Sequence, residues 1–157
     1  MSTTSIHDSR YSWSRLAVTL AIAMVANVGI WAVIVILPAV ETEFGANRAE
    51  SSLPFTLTMV GFAFGNLIIG RLVDRVGVTL ALSTAAVISA FSYVLATLSP
   101  SITVLSLIHL LLGLSTAAGF GPLIADISHW FLKRRGIAVA LVASGNYLSG
   151  AIWPTAL

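Results

Sequence analysis

Cysteine is absent from the 157 residues, and charge is scarce: Asp, Glu, Lys and Arg make up only 9% of them. The first absence excludes disulfides and thiol chemistry, though it says little about the compartment. The second excludes an ordinary water-soluble domain, which carries about 25% charged residues. A chain that is 57% hydrophobic, with a mean hydropathy of +0.97, has lipid as its main solvent. The net charge of +2 is small, and the basic residues flank apolar runs rather than lining one face, so no nucleic acid partner is expected. Motifs for intramembrane chemistry are also missing. There is no HExxH, no P-loop and no acid pair inside an apolar run. His7, His109 and His129 lie in separate segments without metal-ligand spacing. No enzyme, no metal and no cofactor is expected.

What is present is a series of five apolar runs, over about 16–40, 52–69, 78–98, 102–125 and 136–157. About 25 residues at 1.5 Å each make the first roughly 37 Å long, enough to cross the hydrocarbon core with some tilt. It is too long for the apolar region of a cleavable signal, so it reads as an uncleaved first span after a polar segment, 1–14. Trp13 precedes it at an interfacial position, and Pro38 marks its outer end. Pro54 suits the first turn of the second span, where a missing N–H is harmless. Gly61 and Gly65 form a GxxxG step that lets another helix approach. Gly119-Phe120-Gly121-Pro122 should bend or loosen the end of the fourth span. The expected fold class is an all-α membrane helix bundle.

Seven of the eight Lys and Arg residues (Arg10, Arg15, Arg71, Arg75, Lys133, Arg134 and Arg135) fall before the first run or in alternate connections; only Arg48 falls in the others. The positive-inside rule then makes the N-terminus, the 70–77 connection and the 126–135 loop cytoplasmic. Arg134 and Arg135, with Lys133, read first as an orientation signal and a lipid-headgroup contact.

All Lys, Arg, Asp and Glu residues lie in loops or at run ends. A charge at a span centre costs about 3 kcal/mol on insertion scales, so buried chemistry must rest on Asn27, Asn66, His109, Asn146 and Tyr147. A protonated imidazole at His109 could bind an anion, and a neutral one could relay a proton. The plain reading is a neutral histidine donating one hydrogen bond to a neighbouring helix. Asparagines at depth also bind helices together. That packing role is expected of Asn66 and Asn146, while Asn27 is open between packing and substrate contact. Trp31 and Trp153 read as packing or lipid-facing aromatics.

The most informative connection is Gly70-Arg71-Leu72-Val73-Asp74-Arg75-Val76-Gly77, a charged hinge between the second and third runs. Asp74 is expected at the start of the third span, where a carboxylate can cap free N–H groups. Gly70 and Gly77 would permit close backbone approach. The hinge resembles the signature between helices two and three of the major facilitator superfamily, roughly Gly-x-Leu-Ala-Asp-Arg-x-Gly-Arg-Lys, with Val78 and Thr79 in place of the final basic pair. Trp130-Phe131-Leu132-Lys133-Arg134-Arg135-Gly136-Ile137-Ala138 is similar to a stretch of the monocarboxylate and oxalate–formate antiporter-like branch, as is Glu43-Phe44-Gly45-Ala46-Asn47-Arg48.

The resemblance implies twelve spans in two six-helix halves, each built from inverted three-helix repeats. The chain would hold five spans of the first half and lack the sixth and the whole second half. It implies secondary active transport of a small solute, an organic anion or monocarboxylate, by alternating access in the full-length parent; a coupling proton, relayed by His109, is a candidate partner, and the coupling ion itself is not read from the sequence. Partners would be the small-molecule substrate, the lipid bilayer and the missing C-terminal half. Gly70, Leu72, Asp74, Arg75 and Gly77 would form the gate, Asp74 bonding across to the second half. Spans one and four would line the central cavity, joined by parts of two and five. His109 stands where the family's span-four Arg-x-x-Gln-Gly motif has its arginine, and Leu112 replaces the glutamine. Ser144, Gly145, Ser149 and Gly150 match the antiporter motif only loosely, and antiport is not inferred. Short loops point to a bacterial inner membrane. The alternative is a truncated, non-transporting membrane segment that at best assembles with another chain; dimerisation through the Gly61/Gly65 face could in principle rescue a half-transporter, but the missing sixth span argues against it.

Overall fold

A computed structural model describes residues 7–156. Residues 1–6 of the polar N-terminal segment and Leu157 of the fifth run lie outside the described residues. Every described element is helical, and five helical stretches are long and apolar enough to cross a membrane: Arg10–Phe44, Arg48–Val76, Val78–Thr97, Ile102–Ser128 and Arg135–Ala156. The five expected spans are all there, and most run past the expected ends. Charged and polar residues at the ends stay helical because their heads reach the interface while the backbone remains bonded.

The first span is two helices, α1 (Arg10–Ala26) and α2 (Val28–Phe44), not the unbroken run expected over 16–40. Asn27 interrupts it. Its Nδ2 donates to the Ala23 carbonyl at 2.7 Å, and Ile30 N–H bonds to Asn27 O at 3.2 Å, a three-residue spacing. A short amide side chain competes for nearby backbone groups in this way. Pro38 lies inside α2, which continues to a left-handed Gly45, φ 58°. Asn47 and Glu50 form a reciprocal capping box at the short α3 (Arg48–Ser51).

α4 (Leu53–Val76) takes in most of the expected hinge. Residues 70–76 are its last two turns, and the turn itself is Gly77 alone, at φ 83° and ψ 163°. Asp74 therefore sits in the last turn of α4 and does not cap the third span, α5 (Val78–Thr97). Arg71, Leu72 and Arg75 favour continuing α4, and it ends where Gly77 takes positive φ. The fourth span is α6 (Ile102–Thr116), a 3₁₀ turn over Ala117–Gly119, and α7 (Gly121–Ser128), so the expected loosening at Gly119–Pro122 is present. α8 (Arg135–Ala156) is the fifth span.

α4 and α6 make the closest crossing. A Cβ at Gly61 would lie 2.0 Å from the Leu110 carbonyl oxygen, and one at Gly113 2.0 Å from that of Thr58. Gly65 faces the Leu114 carbonyl in the same way. The GxxxG face is thus covered by the chain's own fourth span. That overturns its reading as a dimerisation surface, since two helices cannot occupy one small-residue groove. Several hydroxyls inside the bundle donate one turn back, as in Thr58 to Pro54 O at 2.8 Å and Ser106 to Ile102 O at 2.7 Å, while the buried Ser149 Oγ has no partner among the described residues. Val87, Phe91 and Val94 on α5 stay exposed, as an apolar exterior in lipid requires. At the arginine-rich end, Leu16, Leu123, Ile127, Phe131, Ala138 and Val142 form a buried cluster flanked by Trp13 and Trp130.

Candidate functional site

The interruptions of spans one and four meet inside the bundle. Asn27 is fully buried, and its Nδ2 also donates to the Gly119 carbonyl at 3.2 Å. A Cβ at Gly119 would stand 2.4 Å from the Ala26 Cβ, so only glycine allows this approach. The Asn27 Oδ1 is buried with no partner among the described residues. Broken helices at membrane depth are tolerated where their freed backbone groups are re-satisfied or line a cavity. A cavity of about 650 Å³ lies beside this crossing. Its wall is apolar except for Ser89, Tyr93, Ser115 and Thr116, and Ser89 and Ser115 bond to each other at 2.7 Å.

His109 lies apart from Asn27. It is 3% exposed, and its Nδ1–H donates to Leu105 O at 2.9 Å. The acceptor is one turn back on its own helix, not on a neighbouring one as expected. That bond assigns the proton of a neutral ring to Nδ1 and leaves Nε2 as an acceptor. His109 lines a second cleft, of about 490 Å³, together with Glu43 and Tyr93. Asn146 packs: the Trp31 indole N–H donates to its carbonyl at 2.9 Å and its Oδ1 at 3.2 Å, tying span one to span five. The Trp153 indole N–H donates to Met24 O at 2.9 Å, tying the same two spans again. Asn66 bonds to Phe62 O in its own helix at 2.8 Å. Tyr147 is 72% exposed and faces away from the bundle. The four candidates Asn27, His109, Asn146 and Tyr147 therefore do not converge on one site within this chain.

At the hinge, Asp74 and Arg75 are exposed. Arg71 bonds to Leu67 O at 3.2 Å. Among the described residues, and apart from the adjoining backbone, no atom lies within 4 Å of where a Cβ would stand at Gly70 or Gly77. The expected close backbone approach is absent within this chain, and glycine at 77 is required instead by its positive φ.

The arginine-rich end holds a cluster that sequence reasoning missed. Arg15 bonds to Asp126 Oδ2 at 2.9 Å, and its guanidinium stacks over Trp130, 4.3 Å from the ring centre. Trp13 meets Phe131 edge-on with centroids 5.1 Å apart, and Tyr11 meets Trp130 at 5.5 Å. Arg134 stands over Trp13 at 5.9 Å, and Arg135 donates to Ser128 Oγ at 3.2 Å. The Asp8 carboxylate accepts from three successive backbone N–H groups, of Leu132, Lys133 and Arg134. These bonds, that from Lys133 foremost, hold the Asp8 carboxyl below its ordinary range. Its stabilising contribution is therefore present above about pH 4 and is lost only as the pH falls through the lowered value. The charge alternation was the signal available: it already placed 10–15 and 126–135 at one membrane face. Arg15 and Asp126 are 34% and 23% exposed, so their pairing is discounted for screening. A double-mutant cycle of Arg15→Gln and Asp126→Asn is expected to return about 0.5–1 kcal/mol of coupling in micelle unfolding, and less in high salt. A coupling near 3 kcal/mol would show a dry pair instead.

The family model described as "Major Facilitator Superfamily" matches residues 19–156. The chain is 38% identical over 90 residues to the "MFS-type transporter pynF" of Aspergillus niger, covering 57% of this chain and 21% of that protein. It is 48% identical over 48 residues to the "MFS-type transporter pytF" of Aspergillus terreus, 31% of this chain and 16% of that protein. It is 33% identical over 98 residues to the "Fujikurins efflux protein" of Gibberella fujikuroi, 59% of this chain and 20% of that protein. The matches thus span about a fifth of each relative's length. All three relatives are fungal and lend no support to a bacterial inner membrane.

Proposed function

The chain belongs to the Major Facilitator Superfamily, and from that premise we propose that it is the first five spans of a secondary active transporter for a small organic solute. It is a multi-pass integral membrane protein and not an enzyme. The observation that carries the transport reading is the family match over nearly the whole chain. In this reading the solute is an organic anion or monocarboxylate, a proton couples the cycle, and seven further spans complete two halves that alternate access. The efflux named for the Gibberella relative favours export. The positive-inside bias puts the N-terminus in the cytoplasm, and the fungal relatives favour a fungal membrane.

The role of each residue follows its placement. Asp74 and Arg75, exposed at the arginine-rich end, are free to bond to the second half and close the cytoplasmic side, with Gly70, Leu72 and Gly77 shaping the helix end and turn. His109, whose ring lines the cleft with Glu43, is the proton or anion group. Asn27 supports the paired helix breaks. Asn146 positions Trp31, and Lys133 to Arg135 meet lipid headgroups. Tyr147 would touch solute only if the second half covers its face.

The test is solute flux into proteoliposomes bearing the full-length parent, with labelled short carboxylates and an imposed pH gradient. Gradient-driven flux is expected. In His109→Ala the rate is expected to fall about tenfold or more, with its pH dependence between 5 and 8 lost. An unchanged pH profile would remove His109 from coupling. Flux of neutral solutes alone would overturn the anion assignment, and no flux of any solute would overturn the transport reading.

A further inference from the structure

The Asp8 contact is long in sequence and short in space. The carboxylate reaches Leu132 N at 3.1 Å and Lys133 N at 3.0 Å through one oxygen, and Arg134 N at 3.2 Å through the other. Three successive N–H groups converging on one point make an anion-binding concavity, here filled by the chain itself. Asp8 N–H in turn donates to Trp130 O at 3.1 Å. Among the described residues Asp8 is the only non-glycine at positive φ, 56°. Such a backbone persists only where surrounding contacts over-determine it, and aspartate tolerates it better than most residues. The contact also sits at a junction. Ser9, the next residue, caps α1 through its side chain, and Arg134 immediately precedes α8. One carboxylate thus joins the start of span one to the start of span five.

We propose that Asp8 is a positioning residue, a clasp that makes the arginine-rich ends of spans one and five move as one body. Arg15–Asp126 and the Trp13–Phe131 and Tyr11–Trp130 ring pairs lie on the same seam, but they fix side chains. The Asp8 bonds fix the backbone that leads into α8. A plain structural cap would stabilise the loop locally and leave the distance between the two spans unchanged; a clasp sets that distance. The inference does not depend on what solute is carried.

These 157 residues hold no cysteine, so in the full-length parent only thiols outside them need replacing by serine before labels are introduced. Ser14→Cys and Ile137→Cys, both exposed, would carry spin labels on spans one and five in lipid nanodiscs, with distances read by pulsed dipolar spectroscopy. The background with Asp8 is expected to give one narrow distribution. Asp8→Ala is expected to give a broader and longer one, and Asp8→Glu to restore most of the narrow population. Distributions that are the same in Asp8 and Asp8→Ala would overturn the clasp. Should Asp8→Ala fail to yield folded protein, Asp8→Gly serves in its place: it suits the positive φ and removes both acceptor oxygens. A Gly variant identical to Asp8 in width and mean distance would equally overturn the proposal.

Discussion

Gly113→Ala is expected to lower the stability of the helix bundle by about 3 kcal/mol, the upper part of the usual range for overpacking. The new methyl would stand 2.0 Å from the Thr58 carbonyl oxygen and 2.9 Å from the Phe62 nitrogen. These are backbone atoms of α4 and cannot rotate aside, so α4 and α6 must separate along the crossing. Lipid adds nothing to hold them, because it is as apolar as the side chains it would replace; close backbone packing is the attraction. Gly61→Ala, whose methyl would meet the Leu110 carbonyl oxygen at 2.0 Å, should cost a similar amount. Gly70→Ala supplies the sign control. It is a helical position with nothing within 4 Å, and alanine there is expected to stabilise by about 0.5–1 kcal/mol through helix propensity alone. Unfolding in mixed micelles with rising SDS, followed by tryptophan fluorescence, measures all three. Equal midpoints for Gly113→Ala and Gly70→Ala would show that the crossing is looser than the structure has it.

Phe131→Ala is expected to cost about 3–5 kcal/mol, the range for truncating a buried aromatic. Phe131 is fully buried despite lying in the loop between spans four and five. It packs edge-on to Trp13 within the cluster formed with Leu16, Ile127, Ala138 and Val142. This cluster sits at the arginine-rich end, where water is the alternative solvent, so the hydrophobic effect operates there as it does not at the membrane centre. Phe131→Leu is expected to recover more than half of the loss, because it refills most of the volume. The same SDS titration reads the effect. A loss under about 1 kcal/mol would mean that the cluster collapses around the cavity without penalty.

Five spans were readable because long, predominantly apolar runs have few other stable solutions, and the family could be read because the hinge from Gly70 to Gly77 carries its residues in order. The close approach at Gly61 and Gly65 was readable for the same kind of reason: small residues four apart form a groove in any helix. Its occupant was not, because a groove fits α6 of the same chain or a helix of another equally well until the other spans are placed. Asp74 lies in the last turn of α4 and not at the expected start of the third span. The charges mark the membrane surface, but only the backbone shows that α4 continues to Val76 and that Gly77 alone makes the turn.

The sequence by itself determined the solvent, the number of spans, the alternation of their charged ends and the family, since each is a property of composition or order along the chain. The tertiary structure decided which polar groups share a site. Asn27, whose amide interrupts its own helix locally, finds its second acceptor in the Gly119 carbonyl, 92 positions away. Asp8 finds its three donors more than 120 positions on. His109 and Tyr147, alike as polar residues in apolar runs, are separated into a lined cleft and an outer surface by helix rotation alone. Local rules govern what a residue can do within a turn or two, and partners this distant are chosen by how the helices pack.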